Sequence, residues 1–343
     1  MRKGQNPAKK DVLAYRPEKL AIVSLVYIPV QEGYFADALK IFEYHLASVR
    51  QYTPEPFNLV VFDNGSCAEV KQALLRLQTQ GWIDWLVVSK DNLGKTGALN
   101  WILGALPNEW ICFADSDMLF RPGWLEASWK IQASFPDCGM IGAQVVFPDL
   151  EVDRGNSRLR KTTDPRFRFG QVKPDAWILD EYIRGRGVSD ERAADYRAMA
   201  LDQVENIESG VKVFLGGNSH QQWLAKSEVI RKILPLPASH QLSREEDTYQ
   251  DRRLDELGFA HLTTTVPYLY HMGNTVDVEL EPELARLKLL DGSQITTVSE
   301  PAQSKHNLAW RSLVWMNSQP RLRRILLRLY NNLYLVFSSS PKR

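Results

Sequence analysis

Cysteine is scarce: Cys67, Cys112 and Cys138 are the only three in 343 residues, and their spacing is unpaired. An odd, sparse set excludes a disulfide framework or a cysteine zinc knuckle and suits a reducing cytosol. Long apolar runs are missing as well. Nothing approaches the roughly 18 consecutive apolar residues of a membrane-spanning helix. Leu20 to Val30 has the length of a signal-peptide core, but it lacks a small-residue cleavage site and runs straight into Gln31 and Glu32, so it reads as a buried strand. Charge of one sign is lacking too: 42 Lys and Arg against 41 Asp and Glu leave a net charge of +1. That balance argues against nucleic acid as a partner, which calls for a strong basic excess.

What is present is ordinary for a globular chain, with 44% hydrophobic and 24% charged residues and length enough for a sizeable core. Leu20–Ile28 is a β-branched-rich run ended by Pro29, as a buried parallel strand is. Phe35, Leu39, Phe42 and Leu46 recur at helical spacing, predicting an amphipathic helix up to about Arg50. Leu59–Phe62, Trp85–Val88, Trp110–Ala114 and Met140–Phe147 read as further strands, with a helix across Ala98–Leu103. Ser66 and Glu69 have the spacing of a capping box that opens another helix. Beyond Phe147 the pattern predicts a helix around Glu191–Glu205, a strand at Val211–Leu215, helices from Ser227 and across Asp247–Leu257, and a strand-like run over His261–Tyr270. Strands alternating with helices imply an α/β fold whose central sheet is mostly parallel and flanked by helices. Ligands of such sheets bind beyond the carboxyl ends of the strands.

Asp115-Ser116-Asp117 follows the fourth strand at such an end. In an extended segment residues two apart point the same way, so two carboxylates converge there. Carboxylates that close repel unless a cation neutralises them, and hard oxygen donors suit Mg²⁺ or Mn²⁺, which in turn clamps a diphosphate. A polar turn carrying two solvated acids gives the same three letters. Asp63 before Asn64-Gly65 reads equally as a turn acid, Lys95 as a solvated helix-start lysine, and His271 as a structural histidine. The acids and arginines from Arg244 to Arg253 read equally as a salt-bridged helix face.

Their order along the chain adds a further signal. The Ile22–Pro29 strand, Val60-Val61-Phe62-Asp63-Asn64-Gly65-Ser66, Asn92-Leu93-Gly94-Lys95-Thr96-Gly97-Ala98-Leu99-Asn100 and the acidic pair, followed by Glu246-Asp247, Arg253, Gly258, Pro267 and His271, together resemble family-2 glycosyltransferases with the A-type fold. The resemblance spans about Leu20 to His271. It implies a nucleotide-sugar-binding half at 18–147 and an acceptor-side half at 148–275. It further implies that Pro29 and Glu32 line the nucleoside pocket, with Glu32 standing where the family often has Asn, and that Asp63 accepts a hydrogen bond from a uracil-like imide. Asn92, Gly94 and Lys95 would face the nucleotide or its phosphates, with Gly94 allowing close backbone approach. Asp115 would lie near ribose and metal, and Asp117 and His271 would ligate a divalent ion, Mn²⁺ or Mg²⁺. Asp247, with Glu246 as runner-up, would take the acceptor proton in an inverting transfer from a nucleotide-diphosphate sugar, UDP-linked by expectation. Gly217, in Gly216-Gly217-Asn218, either brings backbone N–H groups to a sugar or marks a plain turn.

Processive polysaccharide synthases share a stretch like Lys95–Asn100 but add Gln-x-x-Arg-Trp and membrane helices. Gln221-Gln222-Trp223 lacks the arginine, so a non-processive enzyme is expected. Pro29-Val30-Gln31-Glu32-Gly33 lacks the Arg-containing glycine loop that a sugar-nucleotide pyrophosphorylase would want and the G-x-G-x-x-G of a dehydrogenase. A non-catalytic nucleotide-sugar binder would have no need of Asp247. After Glu300 there is no acid, while Lys305, Arg311, Arg321, Arg323, Arg324 and Arg328 accompany Leu322, Ile325, Leu326, Leu329, Leu333 and Leu335. Residues 276–343 are therefore expected to form a basic helical extension that packs internally, pairs with a second subunit, or lies on the inner face of a membrane. The acceptor is left open among glycan, lipid-linked and small molecules.

Overall fold

The computed structural model describes residues 16–147, 155–216, 220–237 and 245–289, with the side chains of Arg158 and residues 245–247 outside the description. The basic tail expected beyond residue 300 and Gly217 therefore lie outside the described residues.

The first half alternates strand and helix as expected. It runs β1 (Leu20–Val26), α1 (Ala38–Tyr52), β2 (Phe57–Asp63), α2 (Ala68–Thr79), β3 (Trp85–Val88), α3 (Gly94–Ala105), β4 (Trp110–Asp115), β5 (Met118–Phe120), α4 (Trp124–Ser134) and β6 (Cys138–Gly142). The second half comprises α5 (Ser157–Arg160), β7 (Phe167–Val172), α6 (Ala176–Arg186), α7 (Asp190–Ala198), β8 (Leu201–Asn206), β9 (Lys212–Leu215), β10 (Gln222–Lys226), α8 (Ser227–Ile233), α9 (Glu245–Glu256), β11 (Ala260–Thr264), β12 (Leu269–His271) and α10 (Glu281–Leu284).

Ten strands form one sheet in the order β3-β2-β1-β4-β10-β6-β11-β9-β8-β7, and β12 pairs with β5 in a small second sheet. From β3 to β4 every pairing is parallel. The far half is mixed, with β10 antiparallel to both neighbours and β6 parallel to β11. The α/β class and the flanking helices stand as expected. Side chains alternate across β1: Leu20, Ile22 and Val26 pack with α1 and α2, while Ala21 and Val23 pack with α3 and α8 on the other face. Each such buried aliphatic side chain contributes about 1.5–3 kcal/mol. The chain steps outward from β1 to β2 and β3, then returns to the other side of β1 as β4, so a switch point falls between β1 and β4. Such points open a crevice at the strand carboxyl ends.

Four local expectations are corrected. The Ser66–Glu69 capping box does not form. Cys67 occupies the N-cap of α2, and Ser66 Oγ instead accepts the Ile28 N–H at 3.0 Å, tying the loops after β1 and β2 together. The helix expected around Glu191–Glu205 ends at Ala198, and Leu201–Asn206 is a strand whose Leu201 and Val204, three residues apart, are buried in two different clusters on opposite faces. The run His261–Tyr270 is two strands in two different sheets. Met140–Phe147 keeps strand form only to Gly142.

Candidate functional site

Asp115 ends β4, whereas Ser116 and Asp117 form a turn into β5 rather than the extended segment expected. The two carboxylates still share one neighbourhood, because β12 pairs with β5 and sets His271 opposite Met118. Lys95 Nζ lies 3.0 Å from Asp115 Oδ1, and His271 Nε2 lies 3.2 Å from Asp117 Oδ2. Four residues spread over the sequence from position 95 to 271 therefore meet at the switch point. The Asp117 backbone is fixed as well, its carbonyl accepting the Met272 N–H at 2.8 Å.

The His271 imidazole has a defined tautomer. Its Nδ1 faces the Gly185 carbonyl at 2.7 Å, which only an N–H can do, so the lone pair of the neutral ring is on Nε2, facing a carboxylate oxygen. Two acceptors at 3.2 Å require a proton or a cation between them. Burial penalises the imidazolium, yet the Asp117 carboxylate and the Gly185 carbonyl outweigh it and raise the His271 pKa, with Arg186 opposing them. Asp117 moves the other way: burial resists its charge, but the bond to His271 holds it below the usual carboxylate range. Asp115 is raised by burial, which Lys95 offsets only in part, and the Asp117 charge adds to the rise. Asp117 Oδ1 is buried without a hydrogen-bond partner. An orphaned carboxylate oxygen beside an imidazole lone pair is the donor set a divalent ion takes.

The phosphate-side expectations cluster on the loop before α3. Asn64 Oδ1 accepts the Leu93 N–H, Asn64 Nδ2 donates to Asn92 Oδ1, and that same oxygen accepts the Gly94 N–H at 2.8 Å. Asn92 thus holds the helix start, and a ligand role for its side chain would compete with these bonds. A Cβ at Gly65 would lie 2.8 Å from the Asn92 nitrogen, so this glycine lets the two loops touch. No atom crowds the Cβ position at Gly94, and its φ of +72° is what calls for glycine.

Asp63 is fully buried, and its Oδ1 accepts the Ser66 N–H at 3.1 Å, the turn-acid pattern. Its Oδ2 has no partner, which leaves one acceptor for a base. Pro29 is half-buried and Glu32 is exposed, with the Glu32 carbonyl accepting the Phe35 N–H. Glu246 and Asp247 lie in the first turn of α9, and their side chains are outside the described residues.

Several supporting residues escaped the sequence reading. His45 on α1 is fully buried: Nδ1 donates to the Met118 carbonyl at 2.7 Å and Nε2 accepts the Ser24 hydroxyl at 2.6 Å. Ser48 then accepts the Phe120 N–H, so α1 grips β5 at two points just past the acidic turn. A histidine on the apolar stripe of Phe42, Leu46 and Val49 was the available signal. Gly185 is required by contact, since a Cβ there would lie 2.5 Å from the His271 carbonyl oxygen.

Asp251 Oδ1 meets His261 Nδ1 at 2.8 Å and His220 Nε2 at 3.2 Å. All three side chains are buried, and burial of the carboxylate is outweighed by the two imidazoles, which hold its pKa far below the usual range. The cluster locks α9 to β11 and to the approach of β10. Asp247 stands one turn before Asp251 on the same helical face.

A cavity of about 30 Å³ adjoins His271 and is lined by Gln144, Glu181, Tyr182, Arg186 and Gln221, the last of which accepts the Asp115 N–H on its carbonyl at 2.7 Å. A larger cavity of about 360 Å³ opens at the opposite ends of β6 and β11, near Cys138 and Ala260, and is lined by none of the expected site residues.

Comparison with known proteins adds a family likeness over part of the chain. The sequence model of glycosyl transferase family 2 matches residues 38–183. No curated protein matches the chain. Among solved structures, the mannosyltransferase PcManGT from Pyrobaculum calidifontis in complex with GDP-Man and Mn²⁺ is similar at 16% identity and a TM-score of 0.41, over 74% of this chain and 58% of that one. S. aureus TarS 1-349 is similar at 13% identity and a TM-score of 0.38, over 74% of this chain and 60% of that one. The same protein in complex with UDP-GlcNAc gives 12% and 0.42, over 76% and 62%. This chain thus spans about three fifths of the structures it matches. At such scores they fix no donor, metal or acceptor for it.

Proposed function

We propose, from the match of residues 38–183 to the glycosyl transferase family 2 model, that the chain is an inverting, metal-dependent glycosyltransferase that moves one sugar at a time from a UDP-sugar to an acceptor hydroxyl. The observation that carries this reading is the pairing of Asp117 with His271, two acceptors at 3.2 Å at the carboxyl end of a switch-point strand. Asp117, His271 and Asp115 would hold Mn²⁺ or Mg²⁺. When bound, that ion acts as a Lewis acid on the leaving diphosphate.

This chain's own residues would divide the remaining work. Asp63 Oδ2, buried and unpartnered, would accept the imide N–H of uracil. Pro29 and Glu32 would border the nucleoside. Lys95 would offset part of the burial cost of the Asp115 charge next to Asp117. Asp247 would take the acceptor proton as the hydroxyl oxygen forms its bond to the anomeric carbon. The bond from that carbon to the diphosphate oxygen breaks on the opposite face, and its electron pair leaves with the nucleotide. One displacement inverts the configuration and needs no covalent sugar–enzyme intermediate. The fully buried Asp251 lock fixes the helix that carries Asp247.

The test is a nucleotide-sugar panel with Mn²⁺, scored for sugar-dependent release of UDP. Asp247→Asn should bind donor and fail to transfer, and full activity in that variant would move the base elsewhere. Release of UDP from no member of the panel, with or without Mn²⁺, would overturn the reading.

A further inference from the structure

Three arginines surround β12, and their surroundings differ. Arg121 forks between Glu181 and Glu283, with N–O distances of 2.8 to 3.0 Å. Arg184 is matched by Asp277 and Glu279. Arg186, two residues further on, has no hydrogen bond or ion pair among the described residues. Its guanidinium lies over the Tyr182 ring, 5.5 Å from the centroid. It lines the small cavity whose other walls include His271 and Gln221. Through Gln221 that cavity reaches the Asp115 backbone, and through His271 it reaches Asp117. Gly185, the residue before it, is the one whose carbonyl orients His271. The position of Arg186 is thus tied to the metal-ligand side of the site by an adjacent peptide.

A half-buried arginine with no carboxylate partner among the described residues, set next to a carboxylate-and-imidazole pair, has the chemistry of an anion-binding group. The charges agree. Asp115 and Asp117 bring two negative charges and Lys95 one positive, so a divalent ion leaves a single positive charge to face a sugar-linked diphosphate carrying two. The departing nucleoside diphosphate carries more negative charge still. One further fixed cation closes that gap. A guanidinium stacked on a tyrosine can do so without reorganising, because the ring holds its plane.

We propose that Arg186 is a diphosphate-binding residue of this site, taking the phosphate charge that the metal leaves unmatched. The proposal rests on the nucleotide-sugar reading given above, and the two can fail separately. The experiment measures binding of UDP and GDP, each with Mn²⁺, by calorimetry, and of uridine and guanosine by saturation-transfer NMR. Wild type is compared with Arg186→Gln, Arg186→Lys and the neighbouring control Arg184→Gln. Arg186→Gln should weaken the preferred diphosphate about ten- to hundred-fold, the scale of losing a charge-assisted fork. It should leave nucleoside binding unchanged, and Arg186→Lys should fall between the two. Arg184→Gln should bind as wild type does. Diphosphate binding by Arg186→Gln equal to wild type would overturn the proposal while sparing the reading of the site. Parallel loss of nucleoside and diphosphate would overturn it too, by making Arg186 structural. Failure of wild type to bind either diphosphate with Mn²⁺ would remove both.

Discussion

On the α1 side of the acidic turn, His45 donates from Nδ1 to the Met118 carbonyl and receives the Ser24 hydroxyl on Nε2. On the α6 side, His271 donates from Nδ1 to the Gly185 carbonyl and presents Nε2 to Asp117. The two imidazoles are anchored alike, and what each meets at Nε2 sets them apart. A neutral hydroxyl in a fully buried pocket leaves desolvation in control, and the His45 pKa falls to about 4. The carboxylate beside His271 overcomes the same penalty and raises its pKa. One region is built to hold a backbone still at every ordinary pH. The other is built to take up a proton or an ion.

The largest break in that comparison comes from removing the carboxylate. Asp117→Ala should lose Mn²⁺-dependent binding of the diphosphate and about 10³-fold in transfer, or about 4 kcal/mol at 1.36 kcal/mol per decade. Calorimetry with UDP and the transfer assay check it. Asp251→Asn should lower global stability by roughly 3–5 kcal/mol, since two buried imidazoles lose their shared anion. A urea melt reads this directly, and an unchanged midpoint would show that the cluster locks nothing.

Acidification separates the two histidines. Below about pH 6.5 an unfolded chain protonates His45 while the folded one does not, so the stabilising contribution is complete above that pH and is lost as pH falls toward 4. The loss should reach about 3 kcal/mol at pH 4 and be absent from His45→Gln, as followed by denaturant melts from pH 7 to 4. For His271 the sign reverses. In metal-free protein its raised pKa gives stability that is present at low pH and lost as pH rises through the folded value, while Mn²⁺ affinity rises over the same interval as the proton leaves. Calorimetry with Mn²⁺ across that range checks it, and a flat profile would mean that His271 is no ligand. The smallest effect is expected at Glu32, which is exposed and, among the described residues, bonds through its backbone carbonyl alone. Glu32→Ala should change donor KM by less than about three-fold and stability by under about 0.5 kcal/mol.

The parallel block was legible because β1, β2 and β4 are largely buried and read as apolar runs, two of them ending at an acid: Asp63 on β2 and Asp115 on β4. The mixed half was not. Leu201–Asn206 reads LDQVEN, whose two apolar residues stand three apart and so carry no strand alternation to set against the helix-favouring run that precedes them, and the two merged into one expected helix. The Ser66 hydroxyl had two destinations, a helix N–H or the Ile28 N–H across the sheet, and only tertiary placement chose between them. Within the site, the residues named from sequence were those that could touch a ligand. Those that hold them, His45, Gly185 and Asp251, went unnamed as site residues because each acts through a backbone or side chain that only the fold brings next to it. Gly185 is the clearest instance: nothing in Ile183-Arg184-Gly185-Arg186 tells that His271 will press against it.

Arg121 is the rivet of this arrangement, one guanidinium joining the end of β5 to α6 through Glu181 and to α10 through Glu283. Burial opposes its charge, and the two acids more than restore it. Its failure would not be gradual, because withdrawing the rivet leaves two carboxylates facing each other, and repulsion rather than slack would drive α6 outward. With α6 would go the Gly185 carbonyl that aims His271. A joint designed this way reports damage at a distance: a lesion at Glu283, near the chain's described end, is felt first at His271 and Asp117.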